Sequence, residues 1–360
     1  DMLNALLAGV DAAALFRSVD DRWLGPDHRT ELTRLLTQDR IDDLTLESRA
    51  AILYALQAGW TSGPDEQGIL AVLRATRGVD LTRLKNLVNS RTDSHDLEGL
   101  VFVDVISPDI RQEILDHIAA EASGFHTGEC KVLSDIDDTT VCALHDDRYP
   151  RGIVYPGMLA LLEALDRGVN AEQFSSGDLT FLTARPGDAF GLIEGTTRAA
   201  LRKAGVGTSS VLTGSFLALR SHDAMAGRKL ANVDHYRLLY PEYHLMFIGD
   251  SGQGDVLVGD KMWEAHPDAV RAVIIHDVVD TPASERARWA SERIIFVDTH
   301  VGAACVAFEA GLITADGLRH VVADARRGMD AVAWNSPAQE SATRALFDAD
   351  VSRAAALAAG

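Results

Sequence analysis

The chain has 360 residues, 47% of them hydrophobic, and a formal net charge of −19. That apolar share supports a real core, the length suits one large domain or two ordinary ones, and no uncharged apolar run of about 18 residues is present to span a membrane. So acidic a chain is a poor partner for nucleic acid and is repelled, on average, by anionic lipid.

The opening "DMLNALLAGVDAAALF" carries Asp1 and Asp11 and no basic segment, unlike a secretory leader. Up to residue 123 the pattern predicts a helical bundle. "SRAAILYALQAG" and "VDLTRLKNLVNS" read as helices. In "SGPDEQGILAVLRATRG", Pro64 sits where a first helical turn tolerates it, and Asp65 and Glu66 follow. Ile69, Leu70 and Leu73 then recur at helical spacing, and Gly78 is placed to stop the helix. "SPDIRQEILDHIAAEASG" repeats the design, with Ser107 as N-cap, Ile110, Ile114 and Ile118 on one face, and Gly124 past the end. "LVFVDVI" alternates and reads as a strand. The polar, glycine-containing "ASGFHTGEC" is the expected linker between a helical domain, 1–123, and a second domain, 124–360.

After that linker the period changes. The apolar runs "KVLSDI", "LTFLTA", "SSVLTG", "HLMFIGD", "VRAVIIHD" and "RIIFVDT" alternate with "PGMLALLEALDRG", "TTRAALRKAGV", "LANVDHYRLLY" and "VLVGDKMWEA". This β-α-β-α order predicts an α/β domain: a doubly wound, mainly parallel sheet with helices on both faces. Ligands of such sheets bind at the carboxyl ends of the strands. The Ala-rich tail from about Val301 reads as helices packed on this domain. Cys130, Cys142 and Cys305 are odd in number and lack metal-ligand spacing. They read as free thiols of a reducing compartment, and the expected location is cytoplasmic.

Two strand ends carry clustered acids. In "SDIDDTTV", Asp135, Asp137, Asp138 and Thr139 follow the strand expected at Lys131 to Ile136. One such turn alone would read as a solvated loop, since Asp and Thr are ordinary turn formers. "LMFIGDSGQGD" adds Asp250 and Asp255 at a second strand end. Carboxylates gathered at two strand ends are unfavourable unless a cation joins them. Oxygen ligands without His or Cys point to a hard cation, Mg²⁺. Gly249, Gly252 and Gly254 let the turn pass close to a ligand. A third strand end, "FLTARP", offers the Thr183 hydroxyl and the Arg185 guanidinium. Lys229, in "GRKLANV", lies about a turn before an amphipathic stretch, with Arg228 beside it as the alternative cation. Alone, Thr183 reads as a β-branched strand residue, and Arg185 and Lys229 as solvated charges. Together they supply two acids, a cation site, a hydroxyl and an ammonium, which is what phosphoryl transfer requires.

"DIDDT", "FLTAR", Lys229 and "GDSGQGD", in this order, resemble the four motifs of the haloacid-dehalogenase superfamily of phosphatases. The wording "SDIDDT…YPGM…FLTARP…IGDSGQGD" resembles more narrowly the catalytic domain of the actin-patch-associated phosphatidate phosphatases, over roughly Lys131 to Asp277. The resemblance implies Asp135 as nucleophile, forming an aspartyl phosphate, and Asp137 as general acid and then base. It implies Thr183 and Lys229 on the phosphoryl oxygens, and Arg185 and Ser251 as further substrate contacts. Mg²⁺ would be held by Asp135, the backbone carbonyl of Asp137, Asp250 and Asp255. With Lys229 it would lessen the repulsion between a carboxylate and a phosphate. Asp138 reads as a turn former, and His145, Asp146 and Asp147 as a structural polar flap.

Between Asp137 and Thr183 there is room for a flap and one helix, but not for a cap domain. In this superfamily an absent cap implies an open site that admits large substrates. The helical third is then expected either to fold over the site as a lid or to bind a protein partner. The expected function is a Mg²⁺-dependent phosphomonoesterase acting on phosphatidate or a related phospholipid, with peripheral contact to the membrane. A phosphatase of a soluble metabolite or phosphoprotein is the alternative, favoured by the charge of −19. A non-catalytic module keeping the fold is the third reading. Against it stand the intact Asp135, Asp137, Asp250 and Asp255.

Overall fold

The computed structural model describes residues 2–20, 28–90, 95–169, 179–186, 210–214 and 222–359. The chain divides into two compact units. One comprises residues 1–126 and 235–242, the other residues 127–234 and 243–360.

The first unit is helical: α1 (Met2–Gly9), α2 (Ala12–Ser18), α3 (His28–Arg34), α4 (Leu46–Gln57), α5 (Gly63–Arg74), α6 (Gly78–Asn89) and α7 (Pro108–Ala122). The start signals act as their chemistry demands. Ser62 and Asp65 close a reciprocal capping box on α5, and the Ser107 hydroxyl accepts from the Ile110 N–H to cap α7. Two expectations change. Gly78 does not stop α5, which ends at Arg74; with φ +53° it opens α6. "LVFVDVI" is not a strand. Residues Gly99–Asp104 coil in a wide helical turn, closed by the Val105 N–H on the Leu100 carbonyl. A lone strand would leave its backbone groups unpaired, whereas the coil pairs them and still buries Leu100, Val101 and Val105. The core of this unit is aliphatic, with Ile52, Leu53, Leu56, Ile69, Val72, Leu73, Leu84 and Ile114 closed to solvent. It also holds the buried ion pairs Arg29–Asp65 and Lys85–Glu242, at 3.3 and 2.6 Å.

The second unit has the predicted α/β architecture. Its described strands are β1 (Cys130–Ser134), β2 (Leu179–Pro186), β3 (Ser210–Gly214), β4 (His244–Asp250), β5 (Val270–His276) and β6 (Ile294–Val297). They form one sheet in the order β3-β2-β1-β4-β5-β6, every pair parallel. All six expected apolar runs are strands. A strand covered on both faces favours apolar side chains; β1 is buried at each of its positions, with Val132 and Leu133 at its centre. The helices after α7 are α8 (Met158–Arg167), α9 (His222–Leu239), α10 (Asp255–Ala265), α11 (Ala283–Ser291), α12 (His300–Glu309), α13 (Ala315–Ala331) and α14 (Pro337–Leu357), of which α9 passes at residue 235 from the second unit into the first. The expected helix at "TTRAALRKAGV" lies outside the described residues. The three cysteines are free and buried. No helix among the described residues is long and apolar enough to cross a membrane. The strand order reverses between β1 and β4, so the carboxyl ends of these two neighbours open the crevice where doubly wound sheets take their ligands.

Candidate active site

The crevice between β1 and β4 is where both acidic motifs meet. Past the end of β1 the Asp135 N–H still bonds the Ile248 carbonyl of β4, at 2.9 Å, which sets Asp135 beside the Gly249-Asp250 end of that strand. The chain then turns sharply. The Thr140 N–H bonds the Ile136 carbonyl, the Asp138 N–H bonds the Val141 carbonyl, each at 2.8 Å, and the Thr140 hydroxyl donates to the Asp135 carbonyl. Asp138 has φ +59°, a left-handed conformation that Asp tolerates better than most residues.

Carboxylate oxygens of Asp135, Asp250 and Asp255 lie within 4.8 Å of one another, and all three residues are buried. The Lys229 ammonium joins two of them, donating to Asp135 Oδ1 at 2.6 Å and to Asp255 Oδ1 at 2.5 Å. The second oxygen of Asp255 accepts the Asp250 N–H. Asp250 itself accepts the Gly252 N–H at 2.6 Å and a Gln253 side-chain N–H at 3.3 Å. Two glycines make this possible. A side chain on Gly249 would put its Cβ 2.4 Å from Asp255 Oδ2, and Gly254, at φ +90°, starts α10 so that Asp255 sits in its first turn.

The electrostatics follow from burial. Desolvation, joined by the charges of Asp255 and Asp137 and opposed by Lys229, pushes the Asp135 carboxyl up to about 7. Desolvation, Asp255 and Asp135 hold Asp250 well above the usual carboxylate range. Burial alone would lower Lys229, but Asp135 and Asp255 outweigh it and raise its pKa, so the ammonium stays charged. Three carboxylates face one described ammonium, and Asp135 Oδ2 is buried with no hydrogen-bond partner among the described residues. An all-oxygen donor set with excess negative charge and an orphaned carboxylate oxygen fits a hard divalent cation. A second set, Asp138, His145 and Asp250, is also close enough to share an ion, but Asp138 is already occupied by backbone donors.

The other expected site residues are placed as follows. Asp137 is half-buried on the turn, and its carbonyl accepts a Gln253 side-chain N–H at 3.1 Å. Lys229 does not precede its helix but lies within α9, which begins earlier, at His222. Thr183 and Arg185 are on β2, next to β1, but their side chains, like that of Arg228, lie outside the described residues. The Ser251 hydroxyl is engaged beside the cluster, donating to Asp277 Oδ1 and accepting the Val278 N–H, each at 2.9 Å.

Asp138 does more than form a turn. Its carboxylate accepts the N–H groups of Ala143, Leu144 and His145 at 2.6 to 2.8 Å. Burial opposes its ionisation, but these N–H groups outweigh burial and hold its pKa below the ordinary value. Beneath the turn lies a buried polar set built from Asp146, expected as a structural flap residue, and four residues with no expected role: Arg148, Tyr155, His276 and His300. Arg148 makes a two-pronged pair with Asp146, at 3.0 Å on each oxygen, and the Tyr155 hydroxyl donates to the same carboxylate. Arg148 also donates to His276 Nε2, at 3.0 Å. His276 Nδ1 meets the Asp138 carbonyl at 2.8 Å, and His300 Nε2 meets the Thr139 carbonyl at 2.9 Å. Burial, then Arg148, lowers His276 to about 3, and burial, then His276, holds His300 well below its ordinary value, so both rings are neutral. The available signal for His276 was its position, a polar residue closing an apolar strand at the same sheet edge as Asp250. His300, one residue into a helix, offered none.

Residues 130–277 match the family model of the catalytic domain of phosphatidate phosphatase APP1. The match bears out the resemblance seen in "DIDDT" and "GDSGQGD". The matched segment contains the whole acidic cluster and Lys229. It supports a phosphatase, with a phosphate ester as substrate. No curated protein and no solved structure matches the chain.

Proposed function

We propose that the chain is a Mg²⁺-dependent phosphomonoesterase working through an aspartyl phosphate on Asp135, with phosphatidate or a related phospholipid as substrate. The observation that carries this reading is the Lys229 ammonium held between Asp135 and Asp255 in a buried acidic cluster at the switch point of the sheet. Lys229 fixes one oxygen of Asp135 and so orients the carboxylate for attack. As the Asp135–phosphorus bond forms, the ester O–P bond breaks, and Asp137, two residues on, gives its proton to the departing alkoxide. A water, its proton taken by Asp137, then attacks that phosphorus, releasing phosphate and restoring Asp135. Asp255 keeps Lys229 in place, while the ammonium, Thr183 and Arg185 hold the phosphoryl oxygens. Asp135, the Asp137 carbonyl, Asp250 and Asp255 would hold a Mg²⁺, which would supply positive charge against the repulsion between carboxylate and phosphate.

A soluble phosphate ester is the second reading, favoured by the net charge of −19, which an anionic membrane repels. The test is phosphate release in Mg²⁺ from phosphatidate vesicles beside a panel of soluble esters, with Asp135→Asn as the companion. Release from vesicles that the variant loses by several orders of magnitude is the expected result. Turnover confined to the soluble panel would replace the lipid. Wild-type turnover by Asp135→Asn would remove the nucleophile.

A further inference from the structure

Two buried histidines of the α/β unit point at consecutive backbone carbonyls, those of Asp138 and Thr139, directly after Asp137. They come from different places. His276 ends β5, and His300 begins α12 behind its Thr299 cap. The atoms used differ as well. A carbonyl only accepts, so the His276 proton is on Nδ1. A guanidinium only donates, so Nε2 of the same ring offers its lone pair to Arg148, and the two contacts agree on one tautomer. Arg148 is itself held by Asp146 and by the Asp298 carbonyl. At His300 the contact is through Nε2, which carries the proton there. The Tyr155 ring packs against both imidazoles, with centroids 4.6 and 5.2 Å away.

We propose that His276 and His300 are positioning residues, which pin the turn bearing Asp137 by donating through Nδ1 and Nε2 respectively, and so set the distance between Asp137 and Asp135. The inference rests on Asp137 as the general acid, as proposed above. Other bonds of the turn are local or reach the loop after β4: the Thr140 N–H and hydroxyl go to the Ile136 and Asp135 carbonyls, the Asp138 N–H to the Val141 carbonyl, and the Gln253 amide to the Asp137 carbonyl. Asp138 is in a left-handed conformation, and its carboxylate is directed to the flap at 143–145 rather than to the sheet. The inward carbonyls are therefore its ties to β5 and α12.

The different donor atoms make the idea testable with isosteres. The amide of Asn reaches the place of Nδ1, and that of Gln the place of Nε2. With para-nitrophenyl phosphate and Mg²⁺, His276→Asn should keep kcat within about threefold, whereas His276→Gln should lower it on the order of 100-fold with KM little changed. His300 should show the reverse, with Gln tolerated and Asn not. A residue that merely fills space would not distinguish the two amides by donor position, so equal kcat for both variants at either site, high or low, overturns the proposal. Nitrogen NMR of the wild-type rings is the second measurement, and it needs neither activity nor a folded variant. It should find the proton on Nδ1 of His276 and on Nε2 of His300, and the opposite tautomer at either ring overturns the pinning. A wild-type protein without phosphatase activity would sink the proposed function instead. The tautomers, and faster amide exchange at Thr140 and Val141 in His276→Gln than in His276→Asn, would then decide the pinning separately.

Discussion

Lys229 is one ammonium placed against two buried carboxylates, and its removal should show what such a placement is worth. Lys229→Met keeps most of the stem and deletes the charge. Asp135 and Asp255 then face each other without it, and breaking a buried pair in this way destabilises by about 3–5 kcal/mol. Urea unfolding in chelator measures the change, and an unaltered midpoint would mean that the ammonium does not occupy the gap. His276 gives a prediction in pH. Its folded pKa is lowered to about 3 from an ordinary 6.5, by burial first and Arg148 second, with His300 and Tyr155 the other rings against it. Between those two values the unfolded chain binds a proton that the folded chain refuses. Its contribution to stability is therefore complete above about pH 6.5 and is lost as pH falls through that window. His276→Asn lacks the titrating group, so its stability should fall less steeply between neutral pH and pH 4 than that of wild type. Parallel curves would contradict a neutral, buried ring.

The turn between β1 and the flap is the element on which the site depends. One side chain, Asp138, organises it by accepting three successive N–H groups at residues 143–145. Hydrogen bonds to a charged acceptor are the strong ones, and their donors are left without it in Asp138→Ala. That variant should lose about 2 kcal/mol or more of stability. Amide exchange at Ala143, Leu144 and His145 should accelerate before the rest of the α/β unit responds. Exchange unchanged at these three amides would show that the flap holds itself. The same region explains why reading Asp138 as a turn former was incomplete. Turn propensity is local, and Asp suits a left-handed position, so the turn itself was legible. What the carboxylate accepts depends on the path taken by the chain beyond it.

At the scale of the molecule, charge is the governing quantity. A net charge of −19 is compatible with a stable fold only if like charges are kept apart or neutralised, and the Asp135–Asp250–Asp255 cluster is where they are brought together. Mg²⁺ should therefore raise the melting temperature, because an ion bound by the folded chain alone stabilises it by about 2.7 kcal/mol at 100 times its dissociation constant. Sodium chloride at equal ionic strength should not reproduce the shift, and Asp250→Asn should reduce it. If sodium did as well as magnesium, screening rather than a site would be the cause.

The change of period near residue 124 and the six apolar runs specify a helical segment followed by a β-α-β-α domain, because burial of one helix face or both strand faces is written in the local spacing of side chains. The acids at the ends of "KVLSDI" and "HLMFIGD", and the glycine-rich tight turn after the second, are legible for the same reason; that Gly249 makes room for Asp255 is not. Tertiary structure alone decided which strands are neighbours, and hence that Asp135 and Asp250 share a crevice. It alone brought Lys229, 94 residues away in sequence, between Asp135 and Asp255. It coiled "LVFVDVI", because alternation makes a strand only where another strand pairs with it. It also set His276 and His300 against carbonyls 138 and 161 residues away. A buried polar group must find a partner, but no periodicity records which distant segment supplies it. That choice belongs to packing, once the layers have closed.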